Sequence, residues 1–531
     1  MDFPLQLSQL FKDAQGKSSE EISKWSDEIE DFLGSTPRID NRKDVSDTEE
    51  NAISQVSYQL FGRIISSIDP NNLLEGVSSI PKEEKVEEIA LMTKRRYLEA
   101  ETKETINFES LSCLIRAARN LLRWYIQIYL DQTGRKSTSF IQCLQSKHMI
   151  ELLVSFLEDE DLEKRRLGLT RDISLYIFYA TYCPFPGEEE SLKCLEYLIF
   201  DLSFTDIAIK ILMRPSCTAA LMLSVVRNIH TALVTLQGAA NKIVETTIFR
   251  DPSLIDEDSL AIWIPKERST NTFTSICIDL VRWSLDSDPE FPGVEDDRRA
   301  DLVLEILGAF YALRMGKTIN PNTLTTDNSL LQLSLDILTL TIKSDEKRIN
   351  QCKCAVITML MDSDPTIGVE LLKYDAVNPI LSLFESQVTN LVENLRVDDS
   401  AAATTLPLLV LLNRFAATNA NLRQIIKHFI FPAEAEQAFQ EKVRQQRRTT
   451  HQKNMQALDA PKGTFRWKLI SLMTWPQSQI KRFTGELFWT LCSSDANEFV
   501  HRIGFGNGMP LLGAKGLVQM PQESDARVHV L

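Results

Sequence analysis

Three asparagines stand beside arginines inside otherwise apolar stretches: Arg119-Asn120, Arg227-Asn228 and Asn413-Arg414. Asparagine disfavours a helix interior because its side chain competes for local backbone hydrogen bonds. Buried without a partner, such a group costs about 1–3 kcal/mol. Recognition is one use for it. An amide can donate to and accept from the backbone of a bound peptide, while neighbouring guanidiniums meet that peptide's acidic side chains or its terminal carboxylate. Arg119, Asn120, Arg123, Arg227, Asn228, Asn413 and Arg414 are therefore the candidate contact residues of a concave groove. The alternative is that these groups satisfy one another or cap turns between helices.

Residues suited to making or breaking bonds form no comparable pattern. None of the six histidines stands in an H-E-x-x-H pair, and no cysteine–histidine spacing suits zinc. There is no G-x-S-x-G elbow and no G-x-x-x-x-G-K-[ST] phosphate loop. The run Gly504-Phe-Gly506-Asn-Gly508 follows a helical stretch rather than a strand, which favours turn glycines at a helix end over a phosphate cradle. Carboxylate runs at 158–161 and 188–190 read as solvation and N-caps. Most of the nine cysteines fall inside apolar helical runs and read as buried free thiols; the close pair Cys352 and Cys354 lacks the second pair that a structural zinc site needs. No catalytic residue, metal or cofactor is expected.

The elements that carry the candidate residues are helices. Amphipathic or largely apolar segments follow one another at about 107–130, 139–157, 160–182, 188–201, 205–213, 216–246, 270–285, 298–313, 327–343, 346–361, 366–395, 400–418 and 420–430, most of them stopping at Pro, Gly, Asn or Asp. No alternating strand series is visible. Nineteen glycines and twenty prolines in 531 residues are too few for a turn-rich β protein. So long a succession exceeds what one bundle can organise around a single core. The alternative is a stack of hairpins, each burying a face on its neighbours. The expected fold is all-α, an armadillo/HEAT-like helical-repeat superhelix, that is, an α-solenoid.

A net charge of −15 argues against bulk nucleic-acid binding. The N-terminus lacks the basic-then-apolar order of a signal peptide, and no run approaches the roughly 20 apolar residues of a membrane span. A cytoplasmic protein is expected. Its divisions are read as a helical and polar segment at 1–106, repeats at 107–432, a charged insertion at 433–462, a terminal hairpin with a glycine cap at 463–518, and a short tail at 519–531. The insertion gathers Lys442, Arg444, Arg447, Arg448 and Lys453, a run that is most often a solvated face.

Between Gly463 and Val518, apolar residues recur at Phe465, Leu469, Leu472 and Met473, stop at Thr474-Trp475-Pro476, and resume at Ile480, Phe483, Leu487, Phe488 and Leu491. This spacing predicts two short helices joined at a proline. The wording of the stretch resembles the synembryn family of exchange factors and chaperones for heterotrimeric G-protein α subunits (Gα). The matching residues are Arg466 to Thr474 (RWKLISLMT), Ile480-Lys-Arg482, Gly485 to Cys492 (GELFWTLC), Gly504-Phe-Gly-Asn-Gly508 and Ala514-Lys-Gly-Leu517, with further likeness from Pro407 to Pro432.

The resemblance implies a superhelix that grips the C-terminal helix of Gα, GDP-bound or nucleotide-free, in its concave surface. It also implies promotion of GDP release, assistance to Gα folding, and peripheral membrane association through Gα. Lys468, Lys481 and Arg482 would be additional partner contacts; a solvated basic face explains them equally well. The family continues past the glycine cap into an acidic Ser/Thr-rich segment, where this sequence reads QMPQESDARVHVL. The other reading is a non-exchanging, ataxin-10-like helical-repeat scaffold, suggested by the Ala-Arg-Asn-Leu-Leu run at 118–122.

Overall fold

The computed structural model describes residues 47–68, 83–98, 108–124, 144–159, 167–182, 189–250, 263–265, 267–285, 298–315, 328–339, 346–361, 367–393, 399–434 and 462–518, with single positions at 106, 126, 261, 363, 437 and 441. The first 46 residues of the segment read as helical and polar, most of the charged insertion and the tail lie outside them. The described elements are helices apart from one short antiparallel ladder, in which Thr247, Ile248 and Phe249 face Thr272, Asn271 and Thr270. Three residues per strand are too few for an alternating sequence pattern to show. Two compact units divide the chain, Met1–Thr318 and Ile319–Leu531.

In the first unit the helices form two layers. One layer contains α1 (Asp47–Ile68), α3 (Phe108–Trp124), α5 (Leu167–Thr181), α8 (Ala219–Thr235) and α11 (Arg299–Met315), each packed on the next. The other contains α2 (Glu83–Leu98), α4 (Lys147–Glu158), α7 (Phe204–Leu212) and α10 (Phe273–Leu285), again in succession. Hairpin contacts α1–α2, α4–α5, α7–α8 and α10–α11 tie the layers together. This is the α-solenoid arrangement. Two short helices, α6 (Glu189–Glu196) and α9 (Ala239–Glu245), fill the connections, α6 running into a π turn at Tyr197–Asp201.

Helix starts follow from side chains that accept orphan backbone N–H groups. The Ser146 hydroxyl caps α4 through the Met149 amide, and the Thr218 hydroxyl caps α8 through that of Leu221. The single helix expected at 216–246 is two, because Gly238 turns the chain left-handed at φ 88° between α8 and α9. Between the layers, Phe61, Tyr97, Phe156, Tyr176, Phe204 and Phe273 are fully buried, each contributing about 1.5–3 kcal/mol of apolar transfer.

The second unit repeats the scheme. One layer is α13 (Glu346–Met361), α16 (Asp399–Thr418) and α19 (Ser478–Leu491); the other is α12 (Asn328–Thr339), α15 (Val377–Glu393) and α18 (Phe465–Ser471), the last continued by a 3-10 turn at Leu472–Thr474. The helix expected at 366–395 is again broken. Asp375, at φ 53°, separates α14 (Ile367–Lys373) from α15. α17 (Ala420–Ile430) leans on α16 and α19 and is capped by the Asn419 carboxamide oxygen.

The terminal hairpin forms as its spacing predicts. Ile480, Leu487, Phe488 and Leu491 are buried on α19, and the Phe465 ring meets Phe384 and Phe429 edge-on, each at 5.5 Å. The glycine cap is different from its expectation. It is a further pair of helices, α20 (Ala496–Ile503) and α21 (Phe505–Ala514), hinged at Gly504 with φ 87°. Gly508 serves close packing rather than a turn, since a Cβ there would lie 2.9 Å from the Phe499 ring.

Candidate partner-binding face

The candidate residues of the first unit lie on one layer, α3–α5–α8–α11, and polar bridges cross every junction of that row. Between α3 and α5 the hub is Asp172, a carboxylate with no exposed side-chain surface. It accepts from Arg119 Nη1 at 2.5 Å, from Arg171 Nη2 at 3.3 Å and from Arg116 Nε at 3.4 Å. Arg119 also donates from Nε and Nη2 to Asn120 Oδ1, at 3.1 and 2.8 Å. One buried negative charge thus organises three guanidiniums, and the arginines are set by an internal anchor. The Arg116 and Arg171 side chains keep 31% and 41% of their surface exposed, and Arg123, one turn beyond Arg119, is exposed.

Between α5 and α8 the bridge is Asn228. Its Nδ2 donates to the Ser174 carbonyl at 3.1 Å and to the Ser224 carbonyl at 2.9 Å. Asn228 has no exposed surface, so the expectation that it reaches into a groove is corrected: its donor ties α8 to α5. Asn120 is 5% exposed, with its oxygen taken by Arg119. The Nδ2 of Asn120 and the Oδ1 of Asn228 are buried without a hydrogen bond, a cost the row carries.

Between α8 and α11 the hub is Glu305, which accepts from Arg227 Nε at 3.2 Å and pairs with His230 Nδ1 at 2.7 Å. Burial alone would raise the Glu305 carboxyl. The hydrogen bond and charge of His230, with those of Arg227, outweigh burial and hold it below the usual carboxylate range. Gly308, one turn along α11, gives the imidazole its seat: a Cβ there would stand 2.6 Å from His230 Cε1.

The bridged residues are 53 positions apart from α3 to α5 and 54 from α5 to α8. From α8 to α11 the step lengthens to 78, and the surface of the row carries Arg116, Arg119, Arg123, Arg171, Arg227 and His230, with Asp172 buried and Glu305 21% exposed among them. A chain of net charge −15 presents a cationic face here.

The remaining candidates belong to the second unit and are described there alone. Asn413 on α16 accepts from the Thr490 hydroxyl of α19 at 2.7 Å. Arg414 donates to the Met361 carbonyl and, at 2.8 Å, to that of Ser363, closing the C-terminus of α13. Lys468 turns to Glu393 of α15 at 2.6 Å and to the Thr389 hydroxyl at 3.2 Å. Arg414 and Lys468 are thus engaged within their own unit, correcting the expectation that they are held out for a partner. Lys481 and Arg482 are exposed, the Arg482 guanidinium lying 5.7 Å from the centre of the Phe483 ring.

Sequence reasoning missed Asp172, Arg171, Arg116, Glu305 and His230. Two signals pointed to them: Arg116, Arg119 and Arg123 recur at i, i+3 and i+7, and Asp172 is a carboxylate inside an apolar helix.

Residues 295–529 match the family model described as guanine nucleotide exchange factor synembryn, a stretch that begins just before α11 and takes in somewhat less than half of the chain. No curated protein matches. Among solved structures, the crystal structure of an engineered protein is similar over 99% of this chain and 96% of its own, at 12% identity and a TM-score of 0.42. That likeness is too distant to add to the fold seen in the helix contacts.

Proposed function

We propose that this protein binds the α subunit of a heterotrimeric G protein, favours its nucleotide-free form, and so promotes GDP release and assists Gα folding. The observation that carries this reading is the match of residues 295–529 to the exchange-factor family. The arginine-bearing row of the first unit supplies a surface suited to an acidic, carboxylate-ended helix. Arg123 and Arg227 are the direct contacts in this reading, with Arg119, Asn120 and Asn228 fixing the helices that present them. In the second unit, Asn413 and Arg414 hold α16 in place, and Lys481 and Arg482 are the additional contacts.

Exchange of this kind needs no bond chemistry. A protein that binds empty Gα more tightly than GDP-bound Gα shifts the equilibrium towards release by that difference in affinity. The same preference protects newly made, unliganded Gα by mass action. No described helix is long and apolar enough to cross a membrane, and recruitment to one would come through Gα.

The test is release of a fluorescent GDP from purified Gα. Addition of the full chain is expected to accelerate it, and Arg123→Glu with Arg227→Ala to reduce the acceleration at unchanged helicity. Absence of both acceleration and binding to nucleotide-free Gα would refute the reading. Binding without acceleration would select the non-exchanging scaffold.

A further inference from the structure

The last two helices, α20 and α21, are held on the second unit largely by charge. Glu498 of α20 accepts from Lys427 Nζ of α17 at 2.9 Å and from Arg502 Nε at 2.8 Å. Arg466 of α18 donates to the Arg502 carbonyl at 2.6 Å, and both guanidiniums lie against the Phe431 ring, at 5.1 and 4.4 Å from its centre. At the end of α21, Lys515 pairs with Glu486 of α19 at 3.1 Å and stands 5.3 Å from the Trp489 ring centre. Apolar burial is thin by comparison. Within residues 496–514 the buried apolar side chains are Phe499, Ile503 and Leu512, and Phe505 is half exposed. Two of these three serve the pair itself, because a Cβ at Gly508 would stand 2.9 Å from the Phe499 ring and 3.4 Å from Ile503 Cδ1.

The joint that carries this pair is strained. Ser493 and Ser494, both exposed, stand in succession in the left-handed region at φ 53° and 63°. Residues with a Cβ adopt that region at a cost, which persists only while the surroundings enforce it. Asp495 then caps α20 from within the pair, through the Asn497 and Glu498 amides. Cys492, just before the joint, has no exposed surface, and the charges of Glu498, Arg502, Lys427 and Asp495 all act on its thiol.

We infer that α20 and α21 form a latch, which swings as one body about Ser493 and Ser494 with Glu498 as its catch, while the helices before it stay folded. Ion pairs that keep contact with water hold it only modestly, Glu498 and Lys427 being 28% and 21% exposed, and opening releases the strained joint. The end of the solenoid therefore has two states. The open one bares Cys492 and lifts Phe499 and Lys515 off Trp489. This inference is independent of the identity of any partner.

The experiment is N-ethylmaleimide labelling of the full chain at pH 8, read peptide by peptide by mass spectrometry. Cys354, buried on α13, reports wider unfolding in the same sample. Glu498→Gln is expected to raise labelling of Cys492 relative to Cys354 about tenfold or more, and Lys427→Met to do the same. The two substitutions push the thiol's ionisation in opposite directions, so a shared rise reports opening rather than altered acidity. In the Glu498→Gln background, Ser493→Gly with Ser494→Gly should lower the Cys492 rate again, since glycine takes the left-handed joint without strain. Cys492 rising only in step with Cys354, showing no rise, or moving oppositely in the two variants would overturn the latch. A glycine pair that fails to lower the rate would overturn the joint at Ser493 and Ser494.

Discussion

Gly308→Ala is a substitution whose sign separates two effects. In a helix interior alanine is favoured over glycine by about 1 kcal/mol, so propensity alone predicts stabilisation of α11. Against this, the new methyl carbon would stand 2.6 Å from His230 Cε1, 3.1 Å from Nε2 and 3.2 Å from Nδ1. Every atom on that side of the ring is too close, and the imidazole must leave its seat. It has room to do so, being 27% exposed, but it then gives up the 2.7 Å bond to Glu305. A hydrogen bond to a charged group contributes about 1.5–3 kcal/mol. Loss of that bond less the propensity gain leaves a net destabilisation of about 0.5–2 kcal/mol. Urea denaturation of the full chain, with unchanged slope, measures it. In a His230→Ala background the clash is absent and Gly308→Ala should stabilise by about 1 kcal/mol, so the cycle carries a coupling of opposite sign to simple additivity. Stabilisation by Gly308→Ala in the wild-type background, equal to that in the His230→Ala background, would show that the imidazole is not seated on α11 as described.

Other expectations concern stability and reactivity. Glu305, Glu151 and Glu498 are each held below the ordinary carboxylate value of 4.5 by hydrogen-bonded cations that outweigh burial. The unfolded chain binds more protons in that window, so their contribution is complete above about 4.5 and is lost as pH falls through the lower folded values. Denaturation midpoints from pH 6 to pH 3 should drop, and Glu305→Gln should flatten the slope; an unchanged slope would contradict the Glu305 hub. Arg414→Ala should cost about 1.5–3 kcal/mol, because two carbonyls at the end of α13 lose a charged donor, and Arg414→Lys should recover only part. Burial pushes the thiols of Cys354 and Cys492 up to about 11 and about 12, so neither should react with a disulfide reagent at pH 8 until the protein unfolds. Asp495→Ala removes the side chain that accepts from the Asn497 and Glu498 amides and should cost about 1 kcal/mol, read by thermal melting.

Helix succession was legible because each segment carries its apolar stripe locally, and the terminal hairpin was placed by the gap at Trp475-Pro476. Breaks inside a continuous apolar run were not. Gly238 and Asp375 interrupt helices through backbone conformation, and the flanking hydrophobicity gives no sign of it. The glycines at 506, 508 and 513 looked like turns because glycine is ambiguous between a bent backbone and a close approach; Gly508 against Phe499 is the second. At the candidate face, the sequence marked Arg119-Asn120 and Arg227-Asn228 as unusual, and they are. Their direction was hidden because Arg119, Arg227 and Asn228 find partners on neighbouring helices of the row, as Asn228 does at Ser174. No local pattern can say whether an amide 54 residues from its acceptor faces that acceptor or solvent.

The row has a consequence for how the protein comes off the ribosome. Along α1, α3, α5, α8 and α11, each helix needs only the hairpins immediately before and after it, and the bridges between them span about fifty to eighty residues of chain. Short loop closure favours fast, stepwise docking, so each new hairpin has a finished surface to land on as soon as it emerges. The Asp172 hub is complete once α5 is out, whereas the Glu305 hub must wait for α11. Until then Arg227 and His230 stand on a growing edge without their carboxylate, and that edge, rather than the N-terminal hairpins, is where stalled synthesis would leave this chain most exposed to misassembly.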